Sequence, residues 1–238
     1  MSSLTHKQKK PLIKTSIEEQ LANYNPSARK IIVTAQTLFA ERGIDDVSLR
    51  EIATKAGQAN NSAVQYHFES KEGLIQAIFE LRIPFLEAAR KRRLEELKAR
   101  GNITLKDLLE VHLFPILEMF DEQEQRIFTL FSSHLLSRPT LDHPFYRAQA
   151  KMPVGTEIYH RLESSLPHLP KDIFDFRIRL IAGFFLSSIL ERQKCTSSKK
   201  HLYKDDSIFW GDMINVLAAM LAEPFTGEKR PLSAPRHD

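Results

Sequence analysis

The sequence predicts an all-α protein with a small N-terminal helical domain and a larger C-terminal helical body. Apolar residues recur at helical spacing from Pro26 onward, helix-capping patterns divide the N-terminal part, and the apolar stripes beyond Gly101 keep the helical period. With 42% hydrophobic and 27% charged residues over 238 positions, the composition is that of a globular protein that buries a core.

Residues 1–25 are predicted to form a flexible basic tail. The segment "MSSLTHKQKKPLIK" contains Lys7, Lys9, Lys10 and Lys14 and no acidic residue. It is either a solvated chain end or a basic arm that adds attraction to phosphates. The net charge of +4 allows an acidic partner without requiring one.

The N-terminal domain is predicted over residues 26–72. Pro26 suits the first turn of a helix, which Gly43 is placed to close. A second, short helix starts at Leu49, because Ser48 and Glu51 have the spacing of a capping box. The glycine at position 57 ends that helix.

A third helical piece follows the turn after Gly57. Val64 and Phe68 are four residues apart, so they share a face that packs inward on the second helix. The opposite face carries amides, a hydroxyl and a phenol, and such groups pair with base edges or reach phosphates in DNA. A short helix, a glycine-containing turn and a second helix with a hydrogen-bonding face indicate a helix-turn-helix.

Residues 26–75 resemble the DNA-binding domain of the TetR family of bacterial regulators. The resemblance lies in "ARKIIVTAQTLFAERGIDDVSLREIATKAG" and in "YHFESKEGL". The stretch "QANNSAVQ" is one residue longer than is usual in the family, which leaves open which of Asn60, Asn61 and Ser62 enters the groove first.

The resemblance implies a double-stranded DNA partner and phosphate contacts by Ser48, Tyr66, His67 and Lys71. An amide-rich helix start capped by Ser70 is consistent with an anion contact at Lys71. First-turn arginines are either phosphate contacts or solvated charges. The predicted DNA-binding residues are Arg29, Ser48, Arg50, Asn60, Asn61, Ser62, Gln65, Tyr66, His67 and Lys71.

The body is predicted over residues 73–223. A long helix runs from Ser70 to about Arg100, kinked by Pro84, with Leu74, Ile78, Leu81, Phe85 and Ala88 as its buried stripe. Its charged end, "ARKRRLEELKAR", is interpreted as a solvated face. A segment that opens at Pro144 is interrupted at "MPVG", helices follow over 171–194 and 205–223, and residues 224–238 form a loose tail.

The helix over 171–194 is apolar on more than one face, which indicates burial against both its own body and a partner subunit. The resemblance implies a homodimer in which the last two helices of each subunit form a four-helix interface. A two-fold dimer places its recognition helices ~34–36 Å apart, as a palindromic operator requires. The predicted interface residues are Ile173, Phe184, Ile189, Trp210 and Met213.

The body is rich in phenylalanine: all of the 15 except Phe39 and Phe68 follow residue 75. The resemblance implies a cavity for a small effector, and ligand sites are mostly apolar with few polar anchors. We expect an apolar or aromatic effector and a ligand-controlled regulator, in particular a repressor, although core packing explains the same residues. The predicted effector residues are Phe85, Phe114, Phe128, Phe131 and Phe145, with His112 or His134 as anchor.

Enzymatic function is not expected, since the sequence contains no G-x-S-x-G, no Gly-rich phosphate loop and no H-E-x-x-H. No metal or cofactor is expected. A single Cys195, no N-terminal signal and no apolar run longer than "LIAGFFLSSIL" predict a cytoplasmic protein without a membrane span. The alternative function is a sequence-non-specific architectural DNA-binding protein, which would use the lysine arm and the charge run.

Overall fold

Helices form the regular structure of the computed structural model, which describes residues 14–60, 62–118, 122–138, 144–197 and 205–228. No strand occurs in these ranges, so the all-α prediction is confirmed. The helices are α1 (Lys14–Ala22), α2 (Pro26–Arg42), α3 (Leu49–Lys55), α4 (Ala63–Phe68), α5 (Lys71–Glu80), α6 (Ile83–Arg100), α7 (Leu105–Leu113), α8 (Pro115–Glu118), α9 (Glu122–Ser137), α10 (Pro144–Ala148), α11 (Pro153–Ser164), α12 (Lys171–Ser197) and α13 (Asp206–Ala222).

Capping residues set the bounds of the N-terminal helices. Gly43 closes α2 with a φ of 89°, which a residue with a side chain rarely adopts. Ser48 caps α3, its Oγ accepting a hydrogen bond from the Glu51 amide at 3.1 Å. The reciprocal half of the predicted capping box does not form, because the Glu51 carboxylate pairs instead with Arg42 and Lys55.

The head, which we define as α2 to α5 (residues 26–80), is built around one apolar core. Val64 and Phe68 of α4 point into it, against α3 and α5. Helix α9, which follows much later in the chain, completes this core, and the rings of Phe131 and Phe39 stack with centroids 6.3 Å apart. The residues that α9 contributes are Phe128, Phe131 and Leu135.

Helix α1 lies within residues 1–25, the segment predicted to form a flexible basic tail. Tyr24, after the end of α1, packs on the head core with its ring centroid 6.3 Å from that of Phe68. The prediction is therefore wrong for residues 14–25, since packing on the head gives this short helix a partner that its own sequence does not reveal. Lys7, Lys9 and Lys10 lie outside the described residues.

The predicted long helix is two helices. Helix α5 ends at Glu80 and α6 begins at Ile83, so the chain breaks at Leu81 and Arg82. Pro84 then occupies the first turn of α6, where a missing N–H costs nothing. Because the break resets the helical phase, the predicted buried stripe continues to Leu81, whereas Ala88 is exposed.

The body, which we define as α6 to α13 (residues 83–222), has a second apolar core between α6, α7, α11, α12 and α13. The interruption at "MPVG" is confirmed, with a 3-10 turn at Gln149–Lys151 between α10 and α11. The two predicted C-terminal helices are also confirmed, as α12 and α13, which pack on each other. None of the described helices is long and apolar enough to cross a membrane.

Candidate nucleic-acid interface

The outward face of α4 is uncharged, polar and open to solvent. Tyr66 is 84% exposed, and Ser62 and Gln65 are also exposed, while Val64 and Phe68 on the opposite face are buried. The predicted division into an inward and an outward face is therefore confirmed. Such a face can donate and accept hydrogen bonds at base edges without desolvating a charge.

The turn before α4 is shaped by its own side chains. Asn60 accepts a hydrogen bond from the Ser62 amide through Oδ1 at 2.8 Å, which directs its side chain into the turn. Asn61, also predicted to contact DNA, lies outside the described residues. His67 is half-buried, with its ring centroid 5.0 Å from that of Tyr66.

Two of the predicted phosphate contacts lie exposed at the start of α3, which packs on α4. Ser48 lies exposed at the start of α3, where free amides favour a phosphate. Arg50 is exposed in the first turn of the same helix, and its guanidinium has no ion-pair partner in the part of the chain that the structure describes. Both positions are compatible with the predicted contacts.

Lys71 opens α5, next to the capping residue Ser70, whose Oγ accepts a hydrogen bond from the Gly73 amide at 3.0 Å. The ammonium lies 5.8 Å from the Phe39 ring centroid and 3.4 Å from the backbone oxygen of Asp45. Burial lowers the pKa of Lys71, while the charge of Asp45 opposes that effect.

Arg29 has a structural role instead of the predicted phosphate contact. Its Nε donates to the Tyr24 carbonyl at 2.6 Å and its Nη2 donates to the Ala22 carbonyl at 2.9 Å. A guanidinium held by two backbone oxygens caps the C-terminus of α1 and is not directed at a ligand. The prediction for Arg29 is corrected accordingly.

The predicted effector residues do not come together in one site. Phe128 and Phe131 belong to the head core, and the His134 ring faces Gly43 at the end of α2, 3.7 Å from where a Cβ on that glycine would lie. Phe114 packs in the body instead, against Phe185. Phe85 is half-buried near the start of α6, and the side chain of Phe145 is not among those described. Helical periodicity cannot distinguish the two cores, so the single aromatic pocket is corrected.

His112 is nevertheless an unusual group inside the body. Its Nδ1 has no hydrogen-bond partner among the described residues, and burial, with a contribution from Arg90, lowers its pKa to about 3. The Arg90 guanidinium donates to the His112 carbonyl at 3.2 Å and lies 3.3 Å from the Glu87 carboxylate. Burial lowers the pKa of Arg90 as well.

The buried Glu87–Arg90 pair is not among the predicted features, because Arg90 lies in the charge run interpreted as a solvated face. The Glu87 carboxylate also accepts hydrogen bonds from the amides of Val154 and Gly155, at 2.7 and 3.1 Å. The pair therefore fixes the start of α11 on α6. In the described residues, no group of three or more His, Cys, Asp or Glu side chains could hold a metal ion.

The predicted interface residues are distributed between core and surface. Ile189 is only 1% exposed and belongs to the subunit's own core, so its assignment to an interface is corrected. Trp210 and Met213 pack against the same core, and Ile173 is half-buried. Phe184 alone of the five is exposed, at 43%.

Other large apolar side chains of α12 and α13, which were not predicted as interface residues, are exposed. Phe176 and Leu180, at 61% and 48%, precede Phe184 at four-residue intervals on α12. Val216 and Met220 are exposed on α13 with the same interval. That interval is the signal in the sequence that marks a second apolar face of a helix.

Residues 31–78 match the model of the family described as bacterial regulatory proteins, tetR family. The HTH-type transcriptional repressor BepR of Brucella suis biovar 1 (strain 1330) is 33% identical over 43% of this chain and 47% of its own, so the chain spans about half the length of that relative. The HTH-type transcriptional regulator AcrR of Shigella flexneri is 25% identical over 83% of this chain and 93% of its own.

The crystal structure of superantigen pfit is 17% identical in sequence to this chain and superposes on it with a TM-score of 0.42, over 87% of this chain and 94% of that one. A similarity at this TM-score supports no conclusion about function. The two relatives are named as regulators, which confirms the prediction of a regulator and not an enzyme. The match lies over the helix-turn-helix whose geometry is described above. Residues 31–78 therefore carry the helix-turn-helix domain of the tetR family of bacterial regulatory proteins.

Proposed function

We propose that the protein is a dimeric repressor that binds a palindromic operator through α4 and is released by an apolar or aromatic small molecule. The observation that carries this proposal is the exposed, uncharged polar face of α4, flanked by Ser48 and Lys71. Base edges in the major groove are read by such side chains, while the flanking groups hold phosphates. A relative named as a repressor supports the direction of control.

A dimer is supported by the exposed apolar side chains of α12 and α13. Phe176, Leu180 and Phe184 lie along one side of α12, beside the similar pair on α13. Contiguous apolar surface of this kind marks interaction sites, because each square ångström removed from water contributes ~25 cal/mol. A two-fold dimer formed through this face would carry two α4 helices, as a palindromic operator with half-sites ~34–36 Å apart requires.

The effector is proposed to bind inside the body, with His112 as its polar anchor and Phe114 near it. A buried ring nitrogen without a partner is costly, so a ligand that forms a hydrogen bond with Nδ1 gains affinity there. The effector can release the operator only if it binds more tightly to the state with wrongly spaced heads. A location in the cytoplasm stays a prediction.

Selection from a randomised DNA pool at ~0.15 M salt tests the proposed DNA binding, since phosphate contacts alone are weakened there. We expect one palindrome with half-sites about a helical turn apart. The variant Gln65→Ala should relax selection at one base per half-site by ~1–3 kcal/mol and keep the rest of the motif. Binding without a consensus, fading as salt rises, would establish the architectural function instead.

Operator affinity is then measured with each small molecule that raises the Tm of the protein. We expect at least one apolar or aromatic compound to weaken operator binding, and His112→Leu to reduce its affinity. Unchanged operator affinity with every bound compound would refute the proposed release.

A further inference from the structure

A small network of charges joins the end of α9 to the head. Arg138 follows α9, and its guanidinium lies between two acids: Nε is 3.2 Å from the Asp45 carboxylate and Nη2 is 3.5 Å from the Glu72 carboxylate. Asp45 belongs to the loop between α2 and α3, and Glu72 to the first turn of α5. One side chain of the body thus contacts two segments of the head.

Lys71, the proposed phosphate contact, lies inside this network. Besides burial, which lowers the pKa of Lys71 most, Asp45, Glu72 and, least, Asp46 raise that pKa, and the charge of Arg138 lowers it. Two carboxylates beside a phosphate-binding lysine oppose DNA binding, because they attract its ammonium and repel the phosphate. Arg138 supplies the charge that neutralises them.

The backbone of Arg138 is held by the body. Arg179 of α12 donates from Nη2 to the carbonyl oxygens of Leu136 and Arg138, at 2.9 and 3.0 Å. These are carbonyls at the C-terminus of α9, where a cation is favoured. The main chain at Arg138 is therefore fixed to α12, while its side chain reaches the head.

Stability alone does not account for the two ion pairs. The side chains of Asp45 and Glu72 are 74% and 50% exposed. Pairs this exposed contribute little to folding, because water screens them. The same three charges also act on the Lys71 ammonium, and therefore on the electrostatic potential that a phosphate meets there.

We propose that Arg138 is a positioning residue for DNA binding, which neutralises Asp45 and Glu72 and so leaves Lys71 available to a backbone phosphate. The proposal rests on the proposed function, in which Lys71 contacts DNA. A displacement of the Arg138 main chain together with α12 would withdraw the guanidinium, and the two acids would then compete with the phosphate for Lys71. The body thereby controls a DNA contact that it does not itself make.

A double-mutant cycle on the full chain tests the proposal, with operator affinity measured as a function of salt. Arg138→Gln should weaken binding about threefold per half-site, roughly tenfold for the dimer, and should reduce the salt slope by about 2 as two lysine contacts are lost. In the background Asp45→Asn/Glu72→Gln, the same substitution should change affinity less than twofold. Arg138→Lys keeps the charge and should retain most of the affinity.

Arg126→Gln is the matched control, because it removes the same charge from an exposed position of α9, ~18 Å away along the helix. It should leave both affinity and salt slope unchanged. An equal effect of Arg138→Gln in both backgrounds overturns the proposal, since Arg138 would then contact DNA itself or only maintain the fold. If the unaltered protein selects no operator, the proposed function fails first; if it does and Arg138→Gln binds normally, only this inference fails.

Discussion

Gly73, in the first turn of α5, lies directly against the backbone carbonyl of Phe68, the last residue of α4. A Cβ at Gly73 would overlap that carbonyl oxygen and lie 3.2 Å from its carbon. The Ser70 amide donates to the same oxygen at 2.6 Å, so the carbonyl cannot turn away without losing this bond. The missing side chain allows α4, with the residues proposed to read DNA, to end directly on α5.

Gly73→Ala should therefore disturb the position of α4. We expect the free energy of unfolding to fall by about 2 kcal/mol, as for other insertions into packed space, and operator affinity to fall with it. Gly211→Ala is the control, because a Cβ there meets nothing within 4 Å, and α13 should become slightly more stable. Chemical denaturation and operator titration measure the two effects, and equal behaviour of the two variants would contradict the explanation.

Phe184→Glu should dissociate the proposed dimer. The substitution puts a charge into the exposed apolar face of α12, and burying an unpaired carboxylate is strongly unfavourable. Sedimentation at micromolar concentration should show a monomer with intact helix content. Val33→Glu alters a 53% exposed apolar residue of the head and should leave the oligomeric state unchanged. A Phe184→Glu protein that sediments as the parent does would place the interface elsewhere.

The same substitution at Arg29 and at Arg50 should change different properties of the protein: its stability at Arg29, and its operator binding at Arg50. Arg29→Met loses two charged hydrogen bonds to backbone carbonyls, so stability should fall by about 2 kcal/mol with the salt slope of operator binding unchanged. Arg50→Met should barely affect unfolding but lower the slope by about 2 for a dimer, if each copy contacts a phosphate. The reverse pattern would restore Arg29 as a DNA contact.

His112 should make the stability of the protein fall as the solution becomes acidic. Its pKa is about 3 in the folded protein and 6.5 as a free side chain, so below pH 6.5 the unfolded chain binds a proton that the folded chain does not. The stabilisation is fully present above pH 6.5 and decreases until about pH 3, with a loss of about 2 kcal/mol between pH 7 and pH 5.

Denaturation of His112→Leu and of the parent is measured at pH 7 and pH 5, at one protein concentration. The free energy of unfolding of His112→Leu should fall by about 2 kcal/mol less between these pH values than that of the parent. His160→Gln changes an exposed histidine and should keep the dependence of the parent. Identical pH profiles for His112→Leu and the parent would show that the buried ring is not the group responsible.

Local chemistry explains which parts of the fold the sequence predicts. Ser48 and Ser70 each cap the helix that follows by a hydrogen bond to an amide three residues later. The first residues of these helices can therefore be predicted from the local sequence. The inward side of α4 follows from the spacing of Val64 and Phe68. The face proposed to read DNA could be predicted because every residue that defines it lies within one short segment.

Long-range packing explains what could not be predicted. Arg90 stands in a run of charges, and only the approach of α7 and α11 makes it a buried residue. Phe114 and Phe131 look alike in a helical stripe, yet one enters the body core and the other the head core. Arg138 lies more than sixty residues from both of its acidic partners, so no local pattern marks it.

Because α9 is part of the head core, the head cannot simply be exchanged between this protein and another regulator. Residues 26–80 joined to the body of a different regulator would leave Phe39 without the ring that Phe131 stacks on it. Such a hybrid needs α9 to be transplanted together with the head, or a foreign helix that fills the same volume. The unit that can be exchanged between regulators is therefore discontinuous in sequence, and it does not coincide with the helix-turn-helix.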